Sequence, residues 1–511
     1  MYYFDVQPGS FEEALDMFSS FFTCPLFNAD STSREITAVD NENTKNLQSD
    51  NWRGYQLLKS LALPSHPFSY FSTGNNETLR LNPEKEGIDM RSLLLEFYAK
   101  HYSANTMKLV VYGKESLDVL QDWVVSKFSL VPNKDVEVIE FPEKAYEKLG
   151  KYLQVVPVRD VKNVDIYIAT PSVEPFYLRK PSRYISHLVG HESGGSILSA
   201  LKARGWANGL SAYDYQSIKE FGWMCISVEL TENGFEHVDE VIGCVFNYIN
   251  MLQKQGPEQW IADEVKNIAD LNFRFINQTQ PSDYVTKVAN NMQLYPVEHI
   301  ITGSELVFKA ETDLVPMLLS HICIENSIIM VKNKSFTGST ASQERWYGTQ
   351  YNLSESFTEA QVALWKNENE KNQWDDLKLP DLNPFIPTNF DIRADKVEVT
   401  TTKPSFIHQN VAKRVEDELY ADEVEVAAVE VVTEAVEPDI NSATEAEAEG
   451  EAATAETTTE AETEAEAEVE SEPAVIKPLN GTALIAWHML DKTWAVPKTN
   501  VMIKLETMMV S

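Results

Sequence analysis

The sequence contains 511 residues with a net charge of −35 and 43% hydrophobic residues, which is enough chain for about two to four domains with real cores. The charge is unevenly distributed, because residues 416–472 contain 22 Asp and Glu and no Lys or Arg, whereas the rest of the chain holds 56 acidic and 43 basic residues. Nucleic-acid binding requires an accumulation of basic groups, so this composition argues against a nucleic-acid-binding protein.

The four cysteines show no CxxC spacing and lie at positions 24, 225, 244 and 323. Such scattered cysteines are typical of a reducing compartment. The first residues, MYYFDVQPGSFEEAL, contain neither the basic nor the apolar part of a signal peptide. No stretch reaches the ~20 apolar residues of a membrane span. We therefore expect a cytoplasmic protein with no membrane partner.

The N-terminal part of the chain alternates predicted helices with a short strand. Ser10 and Glu13 have the spacing of a capping box before a helix, and Thr32 and Glu35 have the same spacing before a long helix that runs toward Leu58. A loop rich in Pro, Ser, Gly and Asn spans 66–76. A helix is predicted over 90–101, a strand over 107–112, and a further helix after Gly113. This alternation predicts a layered domain of helices and sheet.

A second unit of the same kind begins after Pro142. Residues 153–158 and 164–169 alternate like two paired strands. The pattern next predicts a helix from Pro181 to Val189, a shorter helix near 197–201, and a strand over 222–230. Apolar residues at helical spacing then predict two amphipathic helices on either side of Gly256. The predicted fold class is α+β, with two consecutive domains of sheet packed against helices.

The periodic pattern ends near residue 391. The segment 392–480 is dominated by its acidic tract, which cannot bury enough apolar surface to offset its ordering entropy, so we predict a disordered acidic linker. Apolar residues return after it, but residues 481–511 are too few to form a domain. They are predicted to be the truncated start of a third domain.

Two acidic residues on the predicted long helix are a candidate metal site. Glu35 and Glu42 are seven residues apart, so two helical turns place them on one face. Carboxylates on a half-buried helical face could hold a metal ion, or could simply be a solvated acidic stripe. The spacing alone favours the solvated stripe.

A second candidate lies near residue 190. His187 and His191 have the i, i+4 spacing of metal ligands, and Glu192 adjoins them. The glycines at 190, 194 and 195 should end the helix that this spacing requires. The residues therefore favour a polar contact or cap over a zinc site.

Several segments together resemble one family, the insulin-degrading-enzyme branch of the pitrilysin inverted zinc metallopeptidases. They are FTCPLFNADSTSREITAVDNENTKNLQSDNWRGYQL, HPFSYFSTGN, EGIDMRSLLLEFYAKHYSANTMKLVVYGKESL, HLVGHESGGSILSALKARGW, NKSFTGSTASQERWYGTQY and FIPTNFDI. The resemblance runs from Tyr2 to about Asp391 and returns weakly in WHMLDKTWAVPKTNVMIKLE. It implies a partial catalytic domain over 1–138, lacking the HxxEH motif, and a second, exosite-bearing domain over 139–391.

The resemblance assigns roles to the two carboxylates. Glu42 matches the third zinc ligand of the family, and Glu35 matches the acidic residue that supports the zinc site. Zinc is the cofactor that the family implies. The other two ligands and the general base come from HxxEH, which is absent: the histidines lie at 66, 101, 187, 191, 237, 299, 321, 408 and 488. We therefore expect a fragment of the family's fold without peptidase activity of its own.

The resemblance also offers an interpretation of the residues near 190. The segments HLVGHE and NGLSA resemble the family's exosite, which anchors the N-terminus of a peptide substrate. The residues carried over are His187, Gly190, His191 and Glu192 on the rim, and Leu210, Ser211 and Ala212 on an edge strand. A peptide would add to this strand through backbone hydrogen bonds. The alternative is an ordinary sheet edge.

Three functions fit these observations. In the first, the chain is a fragment of an insulysin-like zinc metalloendopeptidase, with peptides as substrates and the missing C-terminal half as partner. Alternatively, it is a non-catalytic relative that binds peptides or an active family partner. Thirdly, the acidic tract docks basic partners. Arg345 matches a recurrent family position, and Trp346 and Tyr347 are expected to form a packing cluster without a catalytic role.

Overall fold

The computed structural model describes residues 1–141, 144–366, 374–387 and 499–505. The predicted linker over 392–480 lies outside these residues, and of the predicted third-domain segment only 499–505 is described. The described part is a mixture of helices and two sheets, which confirms the predicted α+β class. Within it, no helix is both long enough and apolar enough to cross a membrane.

Helices cover the faces of both sheets. They are α1 (Phe11–Thr23), α2 (Ala29–Asn46), α3 (Asp50–Ser60), α4 (Asn82–Glu86), α5 (Met90–His101), α6 (Leu117–Phe128), α7 (Pro181–Val189), α8 (Ile197–Ala203), α9 (Glu232–Glu236), α10 (Val238–Gln255), α11 (Gln259–Arg274), α12 (Pro281–Leu294), α13 (Val315–His321) and α14 (Glu359–Trp365). The predicted helices at 90–101 and 181–189 therefore have the expected bounds.

The described strands form one sheet of three and one of seven. They are β1 (Tyr2–Val6), β2 (Met107–Tyr112), β3 (Lys151–Val155), β4 (Asn163–Thr170), β5 (Ala207–Ser217), β6 (Gly222–Leu230), β7 (Ser327–Lys332), β8 (Ser342–Gln343), β9 (Gln350–Ser354) and β10 (Thr499–Leu505). The small sheet has the order β1-β10-β2, and the large sheet has the order β5-β6-β4-β7-β3-β9-β8. Only the β3–β7 pair is parallel among the described pairs.

The small sheet is packed on both faces. Strand β2 alternates, so that Met107 and Val111 lie in a core with α1 and α6, whereas Val110 lies in a core with α12. The apolar face of α1 supplies Phe11 and Phe22 to the first of these cores, as its helical periodicity predicts. The sheet is therefore the middle layer of three.

The large sheet also separates two cores. On β6, Trp223 and Cys225 face a core that includes Leu57 and Leu58 of α3. Ile226 of the same strand faces the larger core, which is built with α7, α8, α10, α11 and α13. Successive side chains of β6 therefore point to opposite faces of the sheet, and both faces are covered by a core.

The prediction of one long helix from Thr32 toward Leu58 is wrong in two respects, its first residue and its continuity. Helix α2 already begins at Ala29, and the chain breaks between α2 and α3. The backbone at Ser49 is extended, with φ −100° and ψ 115°. The break lets the buried side chain of Asp50 accept the N–H groups of Val158 and Arg159 at 2.6 and 3.0 Å. Neither predicted capping box forms, since Ser10 makes no capping bond and Thr32 lies inside α2.

The prediction that 153–158 and 164–169 pair with each other is also wrong. Strands β3 and β4 both occur, but β7 lies between them and pairs with each. Every residue of β7 is buried. An apolar strand with two covered faces is more favourable in the middle of the sheet than a direct β3–β4 hairpin, and its position cannot be seen from local alternation.

Candidate functional site

The rim predicted near residue 190 is built where α7 ends against β5. A Cβ atom at Gly190 would lie 2.9 Å from the carbonyl oxygen of Ser186 and 3.5 Å from the backbone nitrogen of Ala212. Glycine therefore permits the close approach of helix and strand. Because α7 ends at Val189, His191 lies outside the helix, and the two histidines do not form a helical i, i+4 pair.

His187 is the half-buried histidine of the rim. Its Nε2 atom lies 3.3 Å from Oε1 of Glu264 but is not aligned for a hydrogen bond. Burial lowers the pKa of His187, and the neighbouring His191 lowers it further, whereas the charge of Glu264 opposes both effects. The two imidazole rings are perpendicular, with centroids 5.3 Å apart. His187 is therefore held neutral at neutral pH.

Glu264 was not predicted as part of the site. Its side chain is 5% exposed, and while Oε1 faces His187, Oε2 accepts the backbone N–H of Asn383 at 3.1 Å. A sequence signal does exist, because Glu264 interrupts the apolar stripe of α11 between Ile261 and Val265. A carboxylate on a buried helical face requires a partner, but the sequence does not say which.

The edge strand is present where the sequence predicts it. Strand β5 is the last strand of the large sheet and pairs only with β6 among the described strands. Leu210 and Ala212 pack against the larger core, while Ser211 and the nearby Glu192 are exposed. An unpaired edge of this kind can accept an added strand.

An open aromatic cleft lies on the other face of β5. It has a volume of about 360 Å³ and is lined by Asn51, Trp52, Tyr55 and Tyr215. The rings of Tyr55 and Tyr215 are 6.1 Å apart. Side chains of an extended segment alternate between the faces of a sheet, so a strand added to β5 would direct part of its side chains toward this cleft.

The candidate carboxylates do not assemble a metal site. Glu35 and Glu42 both lie on α2 and both are exposed, so the expected half-buried face is not found. Among the described residues, no three His, Cys, Asp or Glu side chains are close enough to hold a metal ion. A catalytic zinc site needs three protein ligands, and the described residues therefore do not fit a complete zinc site.

Arg345 and its neighbours link two loops. Its guanidinium forms an ion pair with Glu77 at 2.8 Å and lies 4.2 Å from the ring centroid of Trp346. Trp346 in turn stacks on Phe71, with ring centroids 4.5 Å apart and planes 9° apart. The hydroxyls of Tyr347 and Thr73 are 3.0 Å apart. These contacts support the predicted packing cluster.

Three sequence models of one family match the chain. "Insulinase (Peptidase family M16)" matches residues 1–65, "Peptidase M16 inactive domain" matches 90–269, and "Middle or third domain of peptidase_M16" matches 273–415. Together these ranges cover more than half of the sequence.

Curated relatives and a solved structure are similar to the same part of the chain. The human insulin-degrading enzyme is 41% identical over 401 residues, covering 78% of this chain and 39% of the human protein. The "insulin-degrading enzyme-like 1, peroxisomal" of Arabidopsis thaliana is 40% identical over 395 residues, covering 77% of this chain and 40% of that protein. The crystal structure of pitrilysin is matched with a TM-score of 0.71 and 28% identity, over 76% of this chain and 41% of that one.

The chain thus spans about two fifths of the length of these curated relatives. One of them is named as peroxisomal, so the cytoplasmic location stays a prediction. The predicted domain boundaries likewise stay predictions.

Proposed function

The chain belongs to peptidase family M16, the insulinase family, and on that premise we propose that it supplies the peptide-binding part of an insulysin-like zinc metalloendopeptidase. Its relatives include insulin-degrading enzymes at about 40% identity. The whole enzyme would hydrolyse peptides, and this chain would hold the substrate in place.

The observation that carries the proposal is the open β5 edge beside the rim. A peptide in extended form adds to β5 through its backbone, which requires no particular side chains. At the end of α7, exposed Glu192 and the carboxylate of Glu264 provide the negative charge that a free α-amino group prefers. Neutral His187 adds no opposing charge.

The chain by itself is proposed to be inactive. The resemblance assigns Glu42 as a ligand of the zinc ion on which the family's hydrolytic chemistry would depend, and Glu35 as its support. The described residues do not fit a complete zinc site, and the sequence lacks the HxxEH base. Loss of a general base alone typically costs about 10²–10⁴ in rate.

The second candidate function is a non-catalytic member of the family that binds peptides or an active family partner. The open β5 edge supports it, because the addition of a peptide strand requires no catalytic group. Both hypotheses use the same peptide-binding edge, and they differ in whether the chain joins a catalytic assembly.

Peptide binding is tested by fluorescence anisotropy with a labelled, unstructured peptide that carries a free N-terminus. We expect saturable binding that weakens at least about tenfold when the N-terminus is acetylated or when Glu192 is replaced by Ala, because each change removes one partner of a charge pair. Glu236→Ala is the matched control, since Glu236 is also exposed but lies on α9. The exosite would be refuted if the unsubstituted chain and the Glu192→Ala variant bound the free and the acetylated peptide with equal affinity.

Catalysis is tested separately with a fluorogenic peptide and a zinc titration of the full chain. We expect no turnover and no stoichiometric tight zinc. Turnover that is abolished by a chelator would contradict the proposed inactivity.

A further inference from the structure

The edge strand β5 begins with an irregularity at Asn208. Ala207 is opposite Leu230 of β6 and Gly209 is opposite Glu229, so Asn208 has no opposite residue in the register between them. An extra residue of this kind is a β-bulge, which locally disrupts the ladder of backbone hydrogen bonds. The side chain of Asn208 is exposed. The bulge lies directly before the part of β5 that is proposed to receive a peptide.

Asn208 is followed by a glycine with open space around it. Among the described residues, the one atom within 4 Å of a Cβ placed at Gly209 is Oε2 of Glu229, at 3.7 Å. A glycine backbone rotates more freely than that of any other residue, and the exposed end of an edge strand opens at a low cost in free energy. The backbone nitrogen of Gly209 can therefore approach the side-chain amide carbon of Asn208.

A second Asn-Gly pair among the described residues has a different environment. Asn233 is also exposed, but it lies in α9 and is followed by the buried Gly234. The backbone N–H of Gly234 donates to Oγ1 of Thr231 at 2.9 Å, and a Cβ atom at Gly234 would collide with the carbonyl oxygen of Trp206. The two asparagines are thus both exposed, and they differ in the freedom of the backbone that follows them.

We propose that Asn208 is a site of spontaneous deamidation. The backbone nitrogen of Gly209 attacks Cγ of Asn208, the new N–C bond closes a succinimide ring, and the N–H proton passes to water. The Cγ–Nδ2 bond breaks and ammonia leaves. A water molecule then opens the ring at either of its two carbonyl groups, which gives aspartate or isoaspartate at position 208. Water is the only co-reactant, and no oxidant or reductant is required.

The product also changes the edge of β5, and this part of the inference rests on the proposed function. In isoaspartate the main chain runs through the side-chain carbon atoms and is longer by one methylene group. Strand addition requires N–H and C=O groups at the regular spacing of a strand. An extra methylene group two residues before Leu210 displaces these groups, so isoaspartate at position 208 weakens the addition of a peptide to β5.

Deamidation is measured by incubating the full chain in H₂¹⁸O at neutral pH for several weeks and mapping its peptides by mass spectrometry. Hydrolysis of the succinimide takes its oxygen from the solvent, so ¹⁸O marks the conversion that occurred in the folded chain and not during digestion. We expect Asn208 to be converted at least about tenfold faster than Asn233, because its backbone is less constrained. Equal rates at the two asparagines would overturn the proposal.

Gly209→Ala tests the route of the reaction. The added Cβ atom fits, since its nearest described neighbour is 3.7 Å away, but it obstructs the closure of the ring. We expect the conversion of Asn208 to slow by about tenfold or more in a chain whose circular dichroism is unchanged. An unchanged rate would overturn the succinimide route. If this variant does not fold, the comparison of Asn208 with Asn233 in the unsubstituted chain decides the matter.

The effect on binding is measured by fluorescence anisotropy with the labelled peptide, before and after incubation, on the converted fraction isolated by ion-exchange chromatography. We expect this fraction to bind at least about threefold more weakly, which corresponds to the loss of about one backbone hydrogen bond. Asn208→Asp is the matched control, because it adds the charge without the methylene group and should bind as tightly as the fresh chain.

Equal affinities of the fresh and converted chains would overturn the effect on the edge. Mass spectrometry detects the conversion of Asn208 without any peptide. A fresh chain that does not bind the peptide would therefore contradict the proposed function, and with it the effect on the edge, but not the deamidation.

Discussion

The charged side chains buried in this molecule each have a different environment. Glu264 serves two partners, His187 and the backbone of Asn383. Asp165 pairs with Lys332 and accepts a hydrogen bond from Ser227 at 2.6 Å. Removing one partner of such a group leaves a charge that water can no longer solvate. Single substitutions at these positions therefore report directly on the contacts.

The titration of His187 should respond to its two neighbours with opposite signs. Glu264→Gln lowers the pKa of His187, because a charge that favours the imidazolium is lost, and His191→Gln raises it. The NMR titration midpoint of His187 should therefore fall in the first variant and rise in the second. Glu240→Gln is the control, since Glu240 lies 3.4 Å from His237 instead. Unchanged midpoints in both variants would contradict the contact.

The same lowered pKa has a consequence for stability. The folded chain binds a proton at His187 less readily than the unfolded chain, whose histidines titrate near pH 6.5. The contribution of His187 to the free energy of unfolding is therefore fully present above pH 6.5, and it is lost as the pH falls below that value.

Asp165→Ala should be among the more costly substitutions. Asp165 and Lys332 are 5% and 8% exposed, so an unpaired Lys332 should reduce the free energy of unfolding by about 3–5 kcal/mol. The control is Asp30→Ala in the exposed Asp30–Arg34 pair, at 3.0 Å, which should cost no more than about 1 kcal/mol. Urea denaturation measures both. If Asp165→Ala and Asp30→Ala reduced the free energy of unfolding by similar amounts, burial would not determine how much the ion pair contributes to stability.

At the scale of elements, the segment over 374–387 holds the rim in place. Lys378 donates its backbone N–H to the carbonyl oxygen of Gly195 at 3.0 Å, and Asn383 donates to Glu264. Leu377 and Leu379, on either side of Lys378, pack on the larger core. The end of α7 is thus held by a segment that follows it about 190 residues later in the chain. Local sequence patterns cannot show such a contact.

Gly195→Ala should loosen this attachment. The residue has φ +91°, and an added Cβ would collide with Cγ of Lys378 and lie 3.2 Å from its backbone nitrogen. We expect a loss of roughly 1–3 kcal/mol of stability from the strained backbone and the displaced segment. Gly194→Ala is the matched control, because nothing lies within 4 Å of its Cβ position. Thermal unfolding of both variants, compared with the unsubstituted chain, checks this, and equal melting temperatures for the two would argue against the contact.

At the scale of the whole molecule, the small sheet joins distant parts of the chain. Strands β1 and β2 do not pair with each other, because β10 lies between them and pairs antiparallel with both. Val501, for example, is opposite Phe4 on one side and Val111 on the other. All described ladder contacts of this sheet therefore involve residues 499–505.

Val501→Pro should open the small sheet, because proline cannot donate to the ladder in a central strand. We expect amide hydrogen exchange to accelerate by about tenfold or more in β1 and β2, with no change in β4. Thr499→Pro is the milder control, since Thr499 is the first residue of β10 and pairs only with Val6. Unchanged exchange in β1 and β2 of the Val501 variant would refute the pairing.

Much of the local structure could be predicted from the sequence alone. The helices at 90–101 and 181–189 and the strands at 107–112 and 222–230 have their predicted bounds, because periodicity and the residues that end an element are local signals. The family could also be predicted, since its motifs extend along most of the first 391 residues. The rim at 187–192 and the edge strand at 210–212 followed from that resemblance.

The tertiary structure decided which of these parts meet. It placed β7 between β3 and β4, broke the long helix at Ser49, and left Glu35 and Glu42 exposed. It also brought Glu264 to His187. These outcomes depend on contacts between residues far apart in the chain, where burial and pairing outweigh local preference. A single sequence contains the side chains for such contacts but does not show which of them will be neighbours.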